Sequence, residues 1–165
     1  MAMIDELLFI KEFREKKAEK EFQKARMALV EARKIEEAAN GALTTFQVQA
    51  EQEEQSWYRD LCSRVVKPRE IAYVQEDVAM LRATELMHAN ALQKAERQHA
   101  LAHDTHVQTH LAMREASKAR EKFTELARMH HVLVNQEAER KEELELEEVA
   151  GNVRKKDDWG VDADA

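Results

Sequence analysis

Residues 18–57, AEKEFQKARMALVEARKIEEAANGALTTFQVQAEQEEQSW, decide the fold. Counting from Ala18 in alternating steps of four and three meets Phe22, Ala25, Leu29, Ala32, Glu36, Ala39, Leu43, Phe46, Ala50, Glu53 and Trp57, and all but the two glutamates are apolar. A repeat of this period keeps one stripe of a helix facing a partner helix, the condition for a left-handed supercoil. Alanine recurs along the stripe, so the partner axis can approach closely, with Phe22, Leu29, Leu43, Phe46 and Trp57 as larger knobs. Asn40-Gly41 is a turn signal in other settings, but the repeat runs through it. One mid-helix glycine costs only about 1 kcal/mol relative to alanine, so a soft spot is expected at Gly41 and no break.

The single proline, Pro68, follows Ser63-Arg64-Val65-Val66-Lys67 and precedes a new periodic run at Ile71, Val74, Val78 and Leu81. Proline fits the first turn of a helix and disfavours helix in the residue before it. A reversal is therefore expected at about residues 63–68, and so short a connection makes the two helices antiparallel neighbours. The second run continues through Leu92, Ala95, Ala102, Met113, Ala116, Phe123 and Ala127. The prediction is an all-α chain, a long antiparallel two-helix coiled-coil hairpin forming one domain. Helix one covers about residues 3–62 and helix two about residues 68–149. Gly151-Asn152 should stop helix two, leaving residues 150–165 as a disordered tail. Partners should have residue numbers summing to roughly 130, giving a paired stretch of roughly 90 Å and an unpaired extension of helix two of about 30 Å.

Composition agrees with few, long elements. Of 165 residues, 36% are charged and 5% aromatic, and only 3 glycines and 1 proline are available to build turns. The formal charge of -7 argues against nucleic acid, whose backbone calls for a surplus of cations on one face. Cys62 is the only cysteine, so no internal disulfide can form, which suits a reducing compartment. Leu7-Leu8-Phe9-Ile10 is hemmed in by Asp5, Glu6, Lys11 and Glu12, too short an apolar run to insert in a membrane. A soluble cytoplasmic protein is the expectation.

Three stretches could carry interactions. The extension of helix two holds Glu137, Glu139, Glu142, Glu143, Glu145, Glu147 and Glu148 against Arg140 and Lys141, with Leu144, Leu146 and Val149 between them. It suits a basic, partly apolar groove, or is simply a solvated helix end. Helix one from Lys11 to Lys34 is basic, either a docking face or a coiled-coil flank making weak pairs of about 0.2–0.5 kcal/mol each. Near the bend, Trp57, Tyr58, Leu61, Val65, Val66, Ile71, Tyr73 and Val74 crowd together; some must cap the hairpin and the rest offer a docking patch. His99, His103, His106 and His110 recur in steps of four, three and four. One stripe spreads them over about 16 Å, too far to converge on a metal. A polar stripe is therefore the default, with a pH-sensitive seam as the alternative. No phosphate loop, nucleophile elbow or H-E-x-x-H motif is present, so neither a catalytic residue nor a cofactor is assigned.

Taken in order, the basic and Glu-rich run from Phe13 to Phe22, the acidic and aromatic run from Glu51 to Asp60, the run IAYVQEDVAMLR at 71–82 and the acidic helix end at 142–148 resemble the central stalk proteins of type III secretion. This is the YscO/SctO group, related to flagellar FliJ. The resemblance spans about residues 3–149. It implies a monomeric antiparallel coiled coil, seated in the pore of a hexameric secretion ATPase and linking it to the cytoplasmic ring of the export-gate protein. Some members also handle chaperones of secreted substrates. It further implies that Lys11, Arg14, Lys16, Lys17 and Lys20 and, on the other helix, Glu137, Glu142 and Glu143 enter the ATPase ring. Trp57, Leu61, Ile71, Val74 and Val78 would then face the export gate. The histidine stripe and the Trp159-containing tail depart from the family pattern. The alternative function is a prefoldin-like or secretion chaperone that grips unfolded chains with the hairpin tips.

Overall fold

The computed structural model describes the backbone of residues 2–161 and side chains through residue 157. Two helices account for it, α1 over Met3–Ser63 and α2 over Pro68–Val161. The fold is an all-α antiparallel coiled-coil hairpin. Acidic Asp5 and Glu6 sit in the first turn of α1, where they complement the positive end of the helix dipole. Their backbone N–H groups donate to the Ala2 carbonyl at 3.0 and 3.3 Å.

The bend is held by side chains in place of turn glycines. No described residue has positive φ. Pro68 opens α2 at the position where its missing N–H costs nothing. Lys67 is the N-cap, and its backbone N–H donates to Glu70 Oε2 at 3.1 Å, which is half of a capping box. Arg64 ties the end of α1 to the start of α2, donating to Asp60 Oδ2 at 3.2 Å and to Glu70 Oε1 at 3.2 Å. Hydrogen bonding to Asp60, and then to Glu70, pushes the Arg64 guanidinium further up its already high range.

The paired helices divide into two compact units, Ala18–Met113 and Met1–Lys17 with Arg114–Ala165. Within Ala18–Met113 the partners across the seam are Glu54 with Arg82, Phe46 with His88, Glu36 with His99, and Phe22 with His106 and His110. Climbing one helix descends the other, as antiparallel pairing demands. The register meets the expected sum of roughly 130 at Phe22, whose partners His106 and His110 give 128 and 132, and runs past it to 134–136 at Phe46, Glu36 and Glu54. A sum of roughly 130 places Glu36 beside Lys94, yet it meets His99, about one turn further along α2. The reason lies in the connection: residues 64–67 run beside the first turn of α2, where Arg64 reaches Glu70, so pairing of α1 begins about one turn into α2.

Every expected seam position of α1 from Ala18 to Ala50 is at least half-buried. Glu53 is exposed instead, and Glu54 takes its place, followed by Trp57 and Leu61. Phe46, Ala50 and Glu54 are thus separated by two successive steps of four. Such a departure from the strict seven-residue repeat unwinds the supercoil locally. On α2, Val74, Val78, Leu81, Leu92, Ala95 and Ala102 line the seam, while Ile71 is exposed. Among the described residues the buried apolar ones are all alanines: Ala25, Ala32, Ala50 and Ala95 here, and Ala127 in the other unit. Two helices cover a methyl group completely and only half-cover anything larger.

In the unit Met1–Lys17 with Arg114–Ala165, Arg120 Nε donates to Glu15 Oε2 at 2.7 Å, Lys11 Nζ stands 5.1 Å from the Phe123 ring centroid, and His131 Nε2 meets Asp5 Oδ1 at 2.9 Å. Beyond these contacts every α2 residue from 132 to 157 is exposed. Helix α2 does not stop at residue 149 as expected; it continues to Val161. Gly151 keeps a negative, helical φ, and a Cβ added there would meet nothing within 4 Å, so it neither caps the helix nor crowds a neighbour. A lone interior glycine is insufficient to end a helix whose flanking residues support it. The remainder of the expected tail, residues 162–165, lies outside the described residues.

Candidate functional site

The residues that sequence points to for partner binding fall on separate surfaces. At the bend, Trp57, Leu61, Val74 and Val78 are half-buried along the seam, where they complete the coiled coil, and Ile71 is 41% exposed. Of the apolar patch expected near the bend, the large side chains that stand most clear of the fold are Val65, fully exposed, Tyr73 and Tyr58. Val65 sits in the connection itself, where no helix face shields it. Its place between Arg64 and Pro68 does not single it out, because its neighbour Val66, in the same connection, is half-buried.

In the terminal unit, Arg14, Lys16 and Lys17 are exposed, and Lys11 is drawn inward onto Phe123. Lys20, in the unit Ala18–Met113, is exposed as well. Glu137, Glu142 and Glu143 are exposed on the unpaired stretch of α2, interspersed with exposed Leu144, Leu146 and Val149. Just before this stretch Arg128 clasps Glu125 with Nη2 2.6 Å from Oε1, and the guanidinium holds the Glu125 carboxyl below the usual carboxylate range. Charge pattern alone does not single out Phe9 and Phe13, which are 68% and 63% exposed one turn apart on α1.

The histidines do not form a solvent-facing stripe. His99, His106 and His110 are half-buried in the seam, and only His103 faces out, 4.0 Å from Asp104. His106 and His110 lie against Phe22, with ring centroids 5.2 and 5.3 Å away, and His88, outside the four-histidine pattern, packs on Phe46 at 5.0 Å. His99 presents Nδ1 to the Glu36 carboxylate. Glu36 Oε2 is buried and has no other polar neighbour in hydrogen-bond geometry. Among the described residues, no group of three or more His, Cys, Asp or Glu is placed to hold a metal ion. The imidazoles are seam-filling groups, flat enough to stack on phenylalanine in a groove too narrow for a second large aliphatic layer.

A shallow, open groove in the unit Ala18–Met113 is lined by Gln47, Glu51, Glu54, Tyr58, Arg82 and Glu85. Its charges are internally matched: Arg82 reaches Glu54 at 2.9 Å and Glu85 at 3.4 Å, and Gln47 donates to Glu85 at 3.2 Å. This is a cross-helix brace. No described helix is long and apolar enough to cross a membrane.

The geometry is that of a helical hairpin, and comparison with known proteins agrees with that fold. A family model described as Type III secretion protein YscO matches residues 4–152. The crystal structure of type III secretion protein YscO from Vibrio parahaemolyticus superposes with a TM-score of 0.81, at 23% sequence identity, over 88% of this chain and 92% of that one. No match is found among curated proteins. The structural likeness establishes a shared fold, and the family match covers far more than half of the chain. The chain belongs to the YscO family of type III secretion proteins.

Proposed function

We propose that this chain is the central stalk or adaptor of a type III secretion ATPase complex. It links the hexameric ATPase to the export gate at the cytoplasmic face of the apparatus and assists secretion without catalysing a reaction itself. The observation that carries this reading is the unpaired stretch of α2. Residues 132–157 remain helical although α1 gives them no partner, and they carry an acidic run from Glu137 to Glu148 with exposed Leu144, Leu146 and Val149. An isolated helix is marginal in water, so a partner that completes it gives this stretch a reason to be helical. In the same unit, the first turns of α1 offer the opposite charge through Arg14, Lys16 and Lys17. The ATPase contact is assigned to this unit, and the export-gate contact to the bend, where Val65 and Tyr73 are exposed and free to be buried by a partner.

Two variants separate the contacts in a reconstitution with purified hexameric ATPase and export-gate cytoplasmic domain. Truncation after Asn135 should abolish co-elution with the ATPase and keep the gate. Val65→Ser with Tyr73→Ser should do the reverse. If the intact chain binds neither partner yet suppresses aggregation of an unfolded client, the chaperone reading replaces this one.

A further inference from the structure

Helix α2 carries a second apolar face, turned away from α1. Val74, Val78, Leu81 and Leu92 enter the seam, and on the opposite side Tyr73, Met80, Leu86 and Met87 stand 56%, 69%, 61% and 71% exposed. Exposed Ala72, Ala79 and Ala83 lie between them, so from residue 72 to residue 87 the apolar positions recur in the steps of three and four that mark a packing face. The outward positions of α1 at the same level, Gln52, Gln55 and Arg59, are polar. A helix apolar on two opposite faces is built to be covered on both, and methionine is a side chain that adapts to such a contact.

The charges along that face select its complement. Glu76 interrupts the apolar stripe, and Lys94 and Arg97 close it. Ala72, Tyr73, Ala79 and Met80 occupy the positions three and four residues from Glu76, and the same positions around Lys94 and Arg97 hold no carboxylate. None of the three can therefore form an ion pair along its own helix. Their neighbours are engaged at the seam, Arg82 with Glu54 and Glu85, and His99 with Glu36, whereas among the described residues Glu76, Lys94 and Arg97 have no ion-pair partner.

A second copy of the same face supplies what is missing. Laid antiparallel about a two-fold axis beside residue 85, Glu76 falls opposite Lys94 of the second copy, Tyr73 opposite its Arg97 and Ala83 opposite its Met87, and each contact occurs twice. The arginine lies over a tyrosine ring, and a small side chain meets a large one. A slip of one heptad sets Glu76 against Met87 or Leu101, and parallel pairing sets Glu76 against Glu76 and Lys94 against Lys94. One arrangement satisfies the charges, over a stretch of about 36 Å from Tyr73 to Arg97.

We infer that the outward face of α2 from Tyr73 to Arg97 is a self-association surface, on which two copies of this chain pair antiparallel through Met80, Leu86 and Met87, with Glu76 and Lys94 fixing the register. The inference goes beyond the stalk reading and does not depend on it. Pairing covers Tyr73, which that reading leaves open for a partner at the bend, so the paired form is the chain free of its secretion partners.

Sedimentation equilibrium of the full-length chain from about 1 to 200 µM compares wild type with Leu86→Ser/Met87→Ser, Glu76→Lys, Lys94→Glu and the exchange Glu76→Lys/Lys94→Glu, with helicity recorded for each. Wild type should pass from monomer to dimer over that range. The serine variant should stay monomeric and equally helical, because neither side chain packs within the hairpin. Each single reversal should weaken the dimer at least about tenfold, and the exchange should restore it to within about threefold. In a Cys62→Ser background, Ala83→Cys mixed with Met87→Cys should oxidise to the mixed dimer in preference to either symmetric one. A dimer that survives the serine change, or that the exchange fails to rescue, overturns the inference. So does a wild type monomeric throughout, including the case in which the serine variant loses binding to the purified export-gate cytoplasmic domain, because the face then has another occupant.

Discussion

Replacing Glu36 and His99 together by leucine should stabilise the protein, and replacing His99 alone should do the opposite. Glu36 occupies a seam position between Ala32 and Ala39, its Oε2 is buried, and the one polar group facing that oxygen is His99 Nδ1. Nδ1 of His99 is the atom placed to serve as a donor to that carboxylate. His99→Ala leaves the charge in the seam without a donor. Breaking a fully buried pair costs about 3–5 kcal/mol. Here the side chains are 28% and 30% exposed, so water reaches part of the carboxylate and the expected cost falls to about 2 kcal/mol. In Glu36→Leu/His99→Leu both desolvation penalties vanish and two aliphatic knobs enter a seam built for them. Substitutions of that kind have gained about 1–4 kcal/mol in buried pairs; partial exposure sets about 1–2 kcal/mol here. Urea unfolding followed by circular dichroism measures wild type, His99→Ala and the cycle of Glu36→Leu, His99→Leu and their double variant. A double leucine variant less stable than wild type, or a His99→Ala penalty below about 0.5 kcal/mol, would refute the view that this pair is a polar defect in the seam. The pair can still have a use, since a single polar position in a coiled coil selects register. The double variant would then be more stable and less uniformly paired, visible as broader distance distributions between spin labels at Lys34→Cys and Arg97→Cys in a Cys62→Ser background.

Three further outcomes follow from single residues. Gly41→Ala should raise stability by about 0.5–1 kcal/mol, since Gly41 is helical and a Cβ there meets nothing within 4 Å; a decrease in urea midpoint would contradict this. Glu70→Ala removes the Lys67 N–H cap, a loss of about 1 kcal/mol, and frees Arg64 on one side; tryptic cleavage after Arg64 should speed up while cleavage at Arg97 stays unchanged, and equal rates at Arg64 in both proteins would count against the brace. Glu125 is held below the ordinary glutamate range by Arg128, so the pair contributes at pH above that range and the contribution is lost as pH falls through the lowered value; Arg128→Ala should return the Glu125 titration, followed by carboxyl NMR, to an ordinary position, and no upward movement would refute the assignment.

The hairpin is legible in the sequence because a seam of period 3.5 is a local property repeated many times, and Pro68 marks the single place where it must restart. The seam positions from Ala18 to Ala50 follow from counting alone, and so does the continuity of α1 through Gly41. Counting fails where a long-range fact intervenes. The step from Ala50 to Glu54 depends on how the paired helices wind near the bend, and Glu53 and Glu54 are indistinguishable as residue types. Histidines present the same difficulty in a different form. Their spacing of four, three and four is the seam's own period, yet polar composition suggests a surface stripe; only the rings of Phe22 and Phe46 across the groove show what the imidazoles pack against.

The surfaces proposed for interaction are legible in charge and obscure in shape. Glu137 to Glu148 and Arg14, Lys16 and Lys17 stand exposed in the structure, as charged residues outside a seam must. Apolar residues are harder, because sequence does not say which of two apolar neighbours enters the seam. Trp57 and Val78 do and Ile71 does not; Leu8 does and Phe9 does not. The register decides each case, and counting gives it only to within about a turn. An exposed apolar residue can therefore be assigned to a partner only after the seam has claimed its share. By that criterion Phe9, Phe13, Val65 and Tyr73 are among the residues left over, and the functional question for this chain is what covers them.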